Sequence, residues 1–193
     1  MTSSGRAAFF FYDGMADFEI SFLIALCREF ESKKEIVTIG TTTEPLKSRY
    51  GITFVPDAAI SQVSSDEIDA LIIPGGLSTT NPTELTGLIR QLDREEKILA
   101  AICMGPLFLA RAGVLNGRRY TTTATPEALK SMNIADPFPD TGYSNEPLVR
   151  DGHIITALDR AFVDFAAEVA MALGILEDQD ARDGVASAYK NLG

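Results

Sequence analysis

A chain of 193 residues with two cysteines, one histidine and no tryptophan excludes several chemistries at once. A structural zinc site needs four cysteine or histidine ligands, one more than this sequence holds, and a disulfide scaffold needs a cysteine-dense chain rather than one that is 46% apolar. The formal charge of −10 disfavours nucleic acid and anionic membranes as partners, and no apolar run approaches membrane-spanning length. We expect a single domain over 1–193, with a flexible N-terminal segment at 1–6 and a peripheral helical tail at 177–193. Its expected location is the cytoplasm, where free thiols persist.

In chain order, Ala7–Tyr12 is a continuous apolar run of the kind found in strands covered on both faces. From Asp17 to Glu31 the spacing of Phe18, Phe22, Leu26 and Phe30 predicts a helix that presents these residues on one face, with Asp17 as its cap. Glu35–Gly40 is a second strand, and Pro45–Tyr50 and Ile52–Pro56 form a small hairpin about Gly51. Ala70–Pro74 is a core strand leading into Gly75-Gly76. A helix follows over Pro82–Glu95, capped by Asn81. Ile98–Ile102 is a strand and Met104–Ala112 a helix ended by Gly113. A short strand at Arg119–Thr122, a helix at Pro126–Met132, a hairpin about Asp151-Gly152 and an apolar helix at Ala161–Leu173 complete the pattern. Repeated βα units imply an α/β fold with a largely parallel sheet, whose ligands bind at the carboxyl ends of the strands.

Three loops after core strands carry candidate chemistry. Cys103 sits between a strand and a helix, the setting of a nucleophile elbow, where a helix N-terminus lowers a thiol pKa. The alternative, a small buried cysteine at a strand end, stands equal with it. Gly75-Gly76 and the backbone of Met104 could supply an oxyanion hole, or the glycines could make only a tight turn. Glu19 could point into the crevice, although spacing alone favours a solvated first-turn acid. Cys27 reads as packing and His153 as a surface hairpin residue. Arg118-Arg119 is too small a basic patch for nucleic acid.

The segments YDGMADFE, ALIIPGG, AAICMGPLFLARAGVLNGRRYTT and DGHIITA, in this order, resemble the ThiJ/PfpI family of the class I glutamine amidotransferase-like superfamily. The resemblance implies a flavodoxin-like three-layer sandwich with a mostly parallel central sheet, flanking helices and a nucleophile elbow. It implies Cys103 as nucleophile, Glu19 as the acid bonded to it, and Gly76 with the Met104 backbone at oxyanion positions, Gly75 lying beside them. The expected state of the pair is a thiolate beside a protonated Glu19. The chain departs from the family where a histidine is usual, since those positions hold Met104 and Thr123. The implied function is a cysteine-dependent enzyme acting on small reactive carbonyl or amide-like substrates in stress response, as a homodimer, without metal or cofactor. A redox-sensing protein using an oxidisable Cys103, or a non-catalytic regulatory domain, is the alternative.

Overall fold

The computed structural model describes residues 5–29, 34–77 and 81–190. Nine strands are found among them: β1 (Arg6–Phe10), β2 (Ile36–Gly40), β3 (Leu46–Lys47), β4 (Thr53–Phe54), β5 (Ala58–Ala59), β6 (Ile68–Ile73), β7 (Ile98–Ile102), β8 (Leu148–Asp151) and β9 (Ile154–Ala157). The helices are α1 (Phe18–Glu29), α2 (Thr83–Arg94), α3 (Pro106–Ala112), α4 (Pro126–Ser131), α5 (Phe162–Ala172) and α6 (Gln179–Lys190). Seven strands form one sheet in the order β5-β2-β1-β6-β7-β9-β8, parallel except where β8 pairs antiparallel with β9. β3 and β4 make a separate antiparallel hairpin. This is the three-layer α/β sandwich expected, with α1, α5 and α6 forming one helical layer and α2 and α3 the other.

The central strands are apolar along their length because helices cover both faces. Ala7 to Phe10, Ala70 to Ile73 and Leu99 to Ile102 are all buried. Helix α2 buries Leu85, Leu88, Ile89 and Leu92, one stripe at helical spacing. Helix α1 differs from expectation. It buries Ile20, Leu23, Leu26 and Cys27, together with Glu19, whereas Phe18 is 40% exposed and Phe22 half-buried. The phenylalanines run along the helix flank instead, where Phe18 meets Phe162 at 5.6 Å and Phe22 meets Tyr189 of α6 at 4.4 Å. Phe30 lies outside the described residues.

Other local expectations also change. Asp17 ends the loop before α1 through its backbone: its carbonyl accepts from Ile20 and Ser21, while its buried Oδ1 has no hydrogen-bond partner. Asn81 does not cap α2, since its amide donates to the Thr86 hydroxyl at 3.0 Å and Pro82 holds the cap position. Arg119–Thr122 is no strand. Its single bridge is Tyr120 with Tyr143, because Thr121 and Thr122 turn away to bond Thr156 and Cys103. Arg6 belongs to β1, and residues 1–4 of the expected flexible segment lie outside the described residues. Among the described residues no helix is long and apolar enough to cross a membrane.

In the sheet, the chain runs from β1 outward to β2 and then crosses back to β6 on the other side of β1. The carboxyl ends of β1 and β6 therefore flank a topological switch point, the place where an open parallel sheet leaves a crevice. Tyr12, Gly75 and Cys103 follow β1, β6 and β7 respectively, so three separate loops converge there.

Candidate active site

Cys103 follows β7 directly and has φ +61°. The left-handed region costs a non-glycine residue about 1–2 kcal/mol, so the turn must be held from outside. It is. The Cys103 N–H donates to the carbonyl of Ala157 at 2.8 Å. Its own carbonyl accepts from the Thr123 N–H at 3.0 Å and the Thr122 hydroxyl at 2.9 Å. Pro106 at the first position of α3 and Gly113 in the left-handed conformation at its end fix the helix that follows. The side chain is thereby aimed at the crevice.

Glu19 comes to meet it from the first turn of α1. It is 1% exposed, which removes the solvated-acid alternative. Its Oε2 accepts from the Gly75 N–H at 2.6 Å, and its carboxyl is also hydrogen-bonded to the Cys103 thiol. Gly75 is required by closeness. A Cβ there would lie 2.5 Å from Cys103 Cβ, 2.7 Å from Sγ and 2.8 Å from Glu19 Oε2. Gly76 adopts φ +151°, and a side chain on it would collide with the Gly14 carbonyl and the Tyr12 hydroxyl. The expected grouping of Gly75 with the oxyanion donors meets a physical obstacle, because its N–H is already given to Glu19. Among the described residues, the N–H groups of Gly76 and Met104 take part in no hydrogen bond.

Electrostatics reverses one expectation. Burial first, then the charge of Glu19, pushes the Cys103 thiol up to about 12, against a smaller lowering by the Thr123 hydroxyl. Burial likewise raises Glu19 to about 7, although the Gly75 N–H and the thiol favour its charged form. The pair therefore carries one negative charge above neutrality, held on the carboxylate with the thiol donating to it.

Several participants had no clear signal in the sequence. The Thr123 hydroxyl donates to Cys103 Sγ at 3.2 Å, from one of the positions where the resemblance implies a histidine. Tyr12 donates to the Pro74 carbonyl at 3.0 Å and its phenol is raised by burial, then by Glu19 and Cys103. Asp159 and Arg49 act on Glu19 with opposite signs. The polar run Thr121-Thr122-Thr123, of which the first two are buried, was the available clue for the threonines.

Other candidates stay apart. Cys27 is fully buried inside α1. His153 is not a surface residue: its side chain is 10% exposed and its Nε2 lies 2.9 Å from Asp93 Oδ1. Its carbonyl accepts from Leu99 near the start of β7, whereas Cys103 follows the end of that strand, about 16 Å away at a strand's rise. Arg118 pairs with Asp93 and Asp151, and Arg119 with Glu146. Among the described residues no cluster of histidine, cysteine and acidic side chains could hold a metal.

Known proteins share this arrangement of sequence and fold. Protein dj-1beta of Drosophila melanogaster is 29% identical over 154 residues, covering 76% of this chain and 78% of that one. A deglycase of Thermococcus kodakarensis is 32% identical over 116 residues, covering 58% of this chain and 69% of the relative. The crystal structure of a DJ-1 superfamily protein from Agrobacterium tumefaciens, 29% identical, superposes with a TM-score of 0.81 over 96% of this chain and 98% of that one. Residues 5–172 match the DJ-1/PfpI family, and the chain belongs to it.

Proposed function

We propose that this chain is a cysteine-dependent enzyme that converts small reactive dicarbonyls, of which methylglyoxal is the simplest, into 2-hydroxy acids. The observation that carries the reading is the buried Glu19 carboxyl, hydrogen-bonded to the Cys103 thiol and anchored on Gly75. Relatives named as deglycases and as a glutathione-independent glyoxalase support the same substrate class.

The thiol sulfur attacks the aldehyde carbon and a C–S bond forms as Glu19 takes the thiol proton. The aldehyde oxygen becomes an alkoxide facing the N–H groups of Gly76 and Met104, and Glu19 returns the proton to give a hemithioacetal. Glu19, again a carboxylate, removes the hydrogen on that carbon as a proton. The electron pair moves through an enediol to the neighbouring ketone carbon, which receives the proton. A thioester of the 2-hydroxy acid results, and water cleaves it to restore the thiol. One carbon is oxidised as its neighbour is reduced, so no external oxidant is needed.

Amide cleavage is less well served. The departing amine would have to take its proton from Glu19, which accepts it from the thiol, because the only imidazole in the chain lies a strand's length away. Redox sensing by Cys103 is the second reading, and burial beside Glu19 favours the thiol over the thiolate that oxidants attack most readily. A role in cytoplasmic carbonyl-stress defence follows from the substrate class. Homodimerisation belongs to the same proposal, since Phe18 and Tyr50 form a ring pair at 5.8 Å that is 40% and 58% exposed and that a second copy would cover.

The test is consumption of methylglyoxal by purified protein, with formation of lactate followed directly. Cys103→Ala is expected to abolish turnover and Cys27→Ala to leave it intact. Full activity in Cys103→Ala, or no lactate from the native chain, overturns the reading.

A further inference from the structure

A cavity of about 420 Å³ opens beside the turn that carries Thr123, within the roughly 300–1,000 Å³ typical of small-ligand sites. Neither Cys103 nor Glu19 lines it. Its apolar wall is aromatic. The buried ring of Tyr120 stacks with Phe138 at 5.4 Å and 14°, and Tyr143 meets it edge-on at 6.0 Å and 64°. Hydrogen bonds hold this wall in place: Tyr120 donates to the Gly142 carbonyl at 3.0 Å, Ser144 to the Tyr120 carbonyl at 2.8 Å, and the Tyr120 hydroxyl to the Pro139 carbonyl at 3.2 Å.

Every charged residue that lines the cavity is acidic. Glu127, Asp136 and Asp140 line the opening, and no lysine, arginine or histidine does. One Asp136 oxygen accepts from the Phe138 N–H at 2.9 Å. Among the described residues, none of these carboxylates forms an ion pair, although the protein pairs many of its other acids. Their field reaches into the cavity. The Tyr120 phenol is raised first by burial and then by Asp136, Tyr143 and Asp140.

Aromatic side chains beside three carboxylates that form no ion pair among the described residues suit one ligand class. Among the described residues these acids form no cluster able to hold a metal ion, and a neutral apolar ligand would gain nothing from them. A cation that carries its charge on carbon-rich groups gains from both, through cation–π attraction and through Coulomb attraction at the rim. We propose that this cavity binds an organic ammonium group, its methyl or methylene carbons against Tyr120, Phe138 and Tyr143 and its charge facing Glu127, Asp136 and Asp140. The source is either a small free ammonium compound or a methylated lysine side chain.

Titration calorimetry on the full chain tests this, with choline set against its neutral carbon isostere 3,3-dimethylbutan-1-ol, and a trimethyl-lysine peptide against the unmodified peptide. Choline is expected to bind at least tenfold more tightly than the isostere, with affinity falling as salt rises. Tyr143→Ala and the double variant Asp136→Asn with Asp140→Asn change exposed residues, and each is expected to weaken binding at least tenfold. Cys103→Ala is expected to bind choline as the native chain does, which separates this site from the proposed catalysis. Tighter binding of the methylated peptide than of choline assigns a protein source, and the reverse assigns a free compound. No heat with either cation, equal binding of the isostere, or undiminished binding in both variants overturns the proposal.

Discussion

The two cysteines differ less in acidity than in what stands beside them. Burial raises Cys27 to about 11 and Cys103 to about 12, so neither is a thiolate at neutral pH. Cys27 lies in regular helix among Leu23 and Leu26, and the charges acting on it are the cations Lys34 and Arg28. Cys103 lies in a left-handed turn with a hydroxyl donor at 3.2 Å and a carboxyl bonded to its proton. Under the proposed function, Cys103 gains its reactivity from a neighbour able to accept its proton during attack rather than from a lowered pKa at rest.

Removing that acceptor is the largest way to break the contrast. Glu19→Gln is expected to lower turnover on the order of 10²–10⁴-fold, the usual contribution of a positioned general base. In the native chain the rate rises as pH passes through about 7, where Glu19 ionises, and the variant loses this rise. A pH–rate profile of both proteins measures it. An unchanged profile in the variant would show that Glu19 is not the base.

The same carboxyl also opposes folding. Its pKa is about 7 in the folded chain against an ordinary 4.5, so from about pH 4.5 upward the unfolded chain releases a proton that the folded chain retains. Stability therefore falls as pH rises through this window, by at most about 3 kcal/mol for a shift of this size. Glu19→Gln escapes the loss. It is expected to gain up to about 3 kcal/mol over the native chain above pH 7 and nothing below about 4.5, read from urea midpoints at the two ends. Parallel pH dependence in the two proteins would refute the assignment.

Thr123 gives a smaller effect of the opposite kind. Its hydroxyl favours the charged sulfur, so Thr123→Val raises the thiol further and slows its alkylation by iodoacetamide by about tenfold. Cys27, out of contact with Thr123, serves as the internal reference in the same peptide map.

Strand runs and the elbow were legible in the sequence because parallel strands buried on both faces leave uninterrupted apolar runs, as in Ala70 to Ile73 and Ile98 to Ile102. The site was legible only in part. Glu19 looks like any first-turn acid until tertiary packing buries it against Gly75 from another loop, 56 residues away in sequence. The stripe of Phe18 and Phe22 misled for a related reason: helical spacing identifies a shared face, but α5 and α6 compete with the sheet to cover it. The raised Cys103 thiol has no sequence signal, because its main cause is burial and the next is the charge of Glu19, which only the folded loops bring together.

The smallest effect tests the backbone half of the comparison. Replacing either cysteine by alanine or by glycine removes the sulfur, and the two products differ only in one Cβ. At position 103 the φ of +61° penalises alanine and spares glycine, so Cys103→Gly is expected to be more stable than Cys103→Ala by about 1 kcal/mol. At position 27, inside right-handed helix, the order inverts: Cys27→Gly loses about 1 kcal/mol relative to Cys27→Ala through the lower helix propensity of glycine. Opposite signs in thermal or urea unfolding would locate the strain at the elbow itself. The same sign at both positions would mean that the turn at Cys103 relaxes when its sulfur is gone, and that the bond from Thr123 and the contact with Glu19, not the flanking backbone, keep it left-handed.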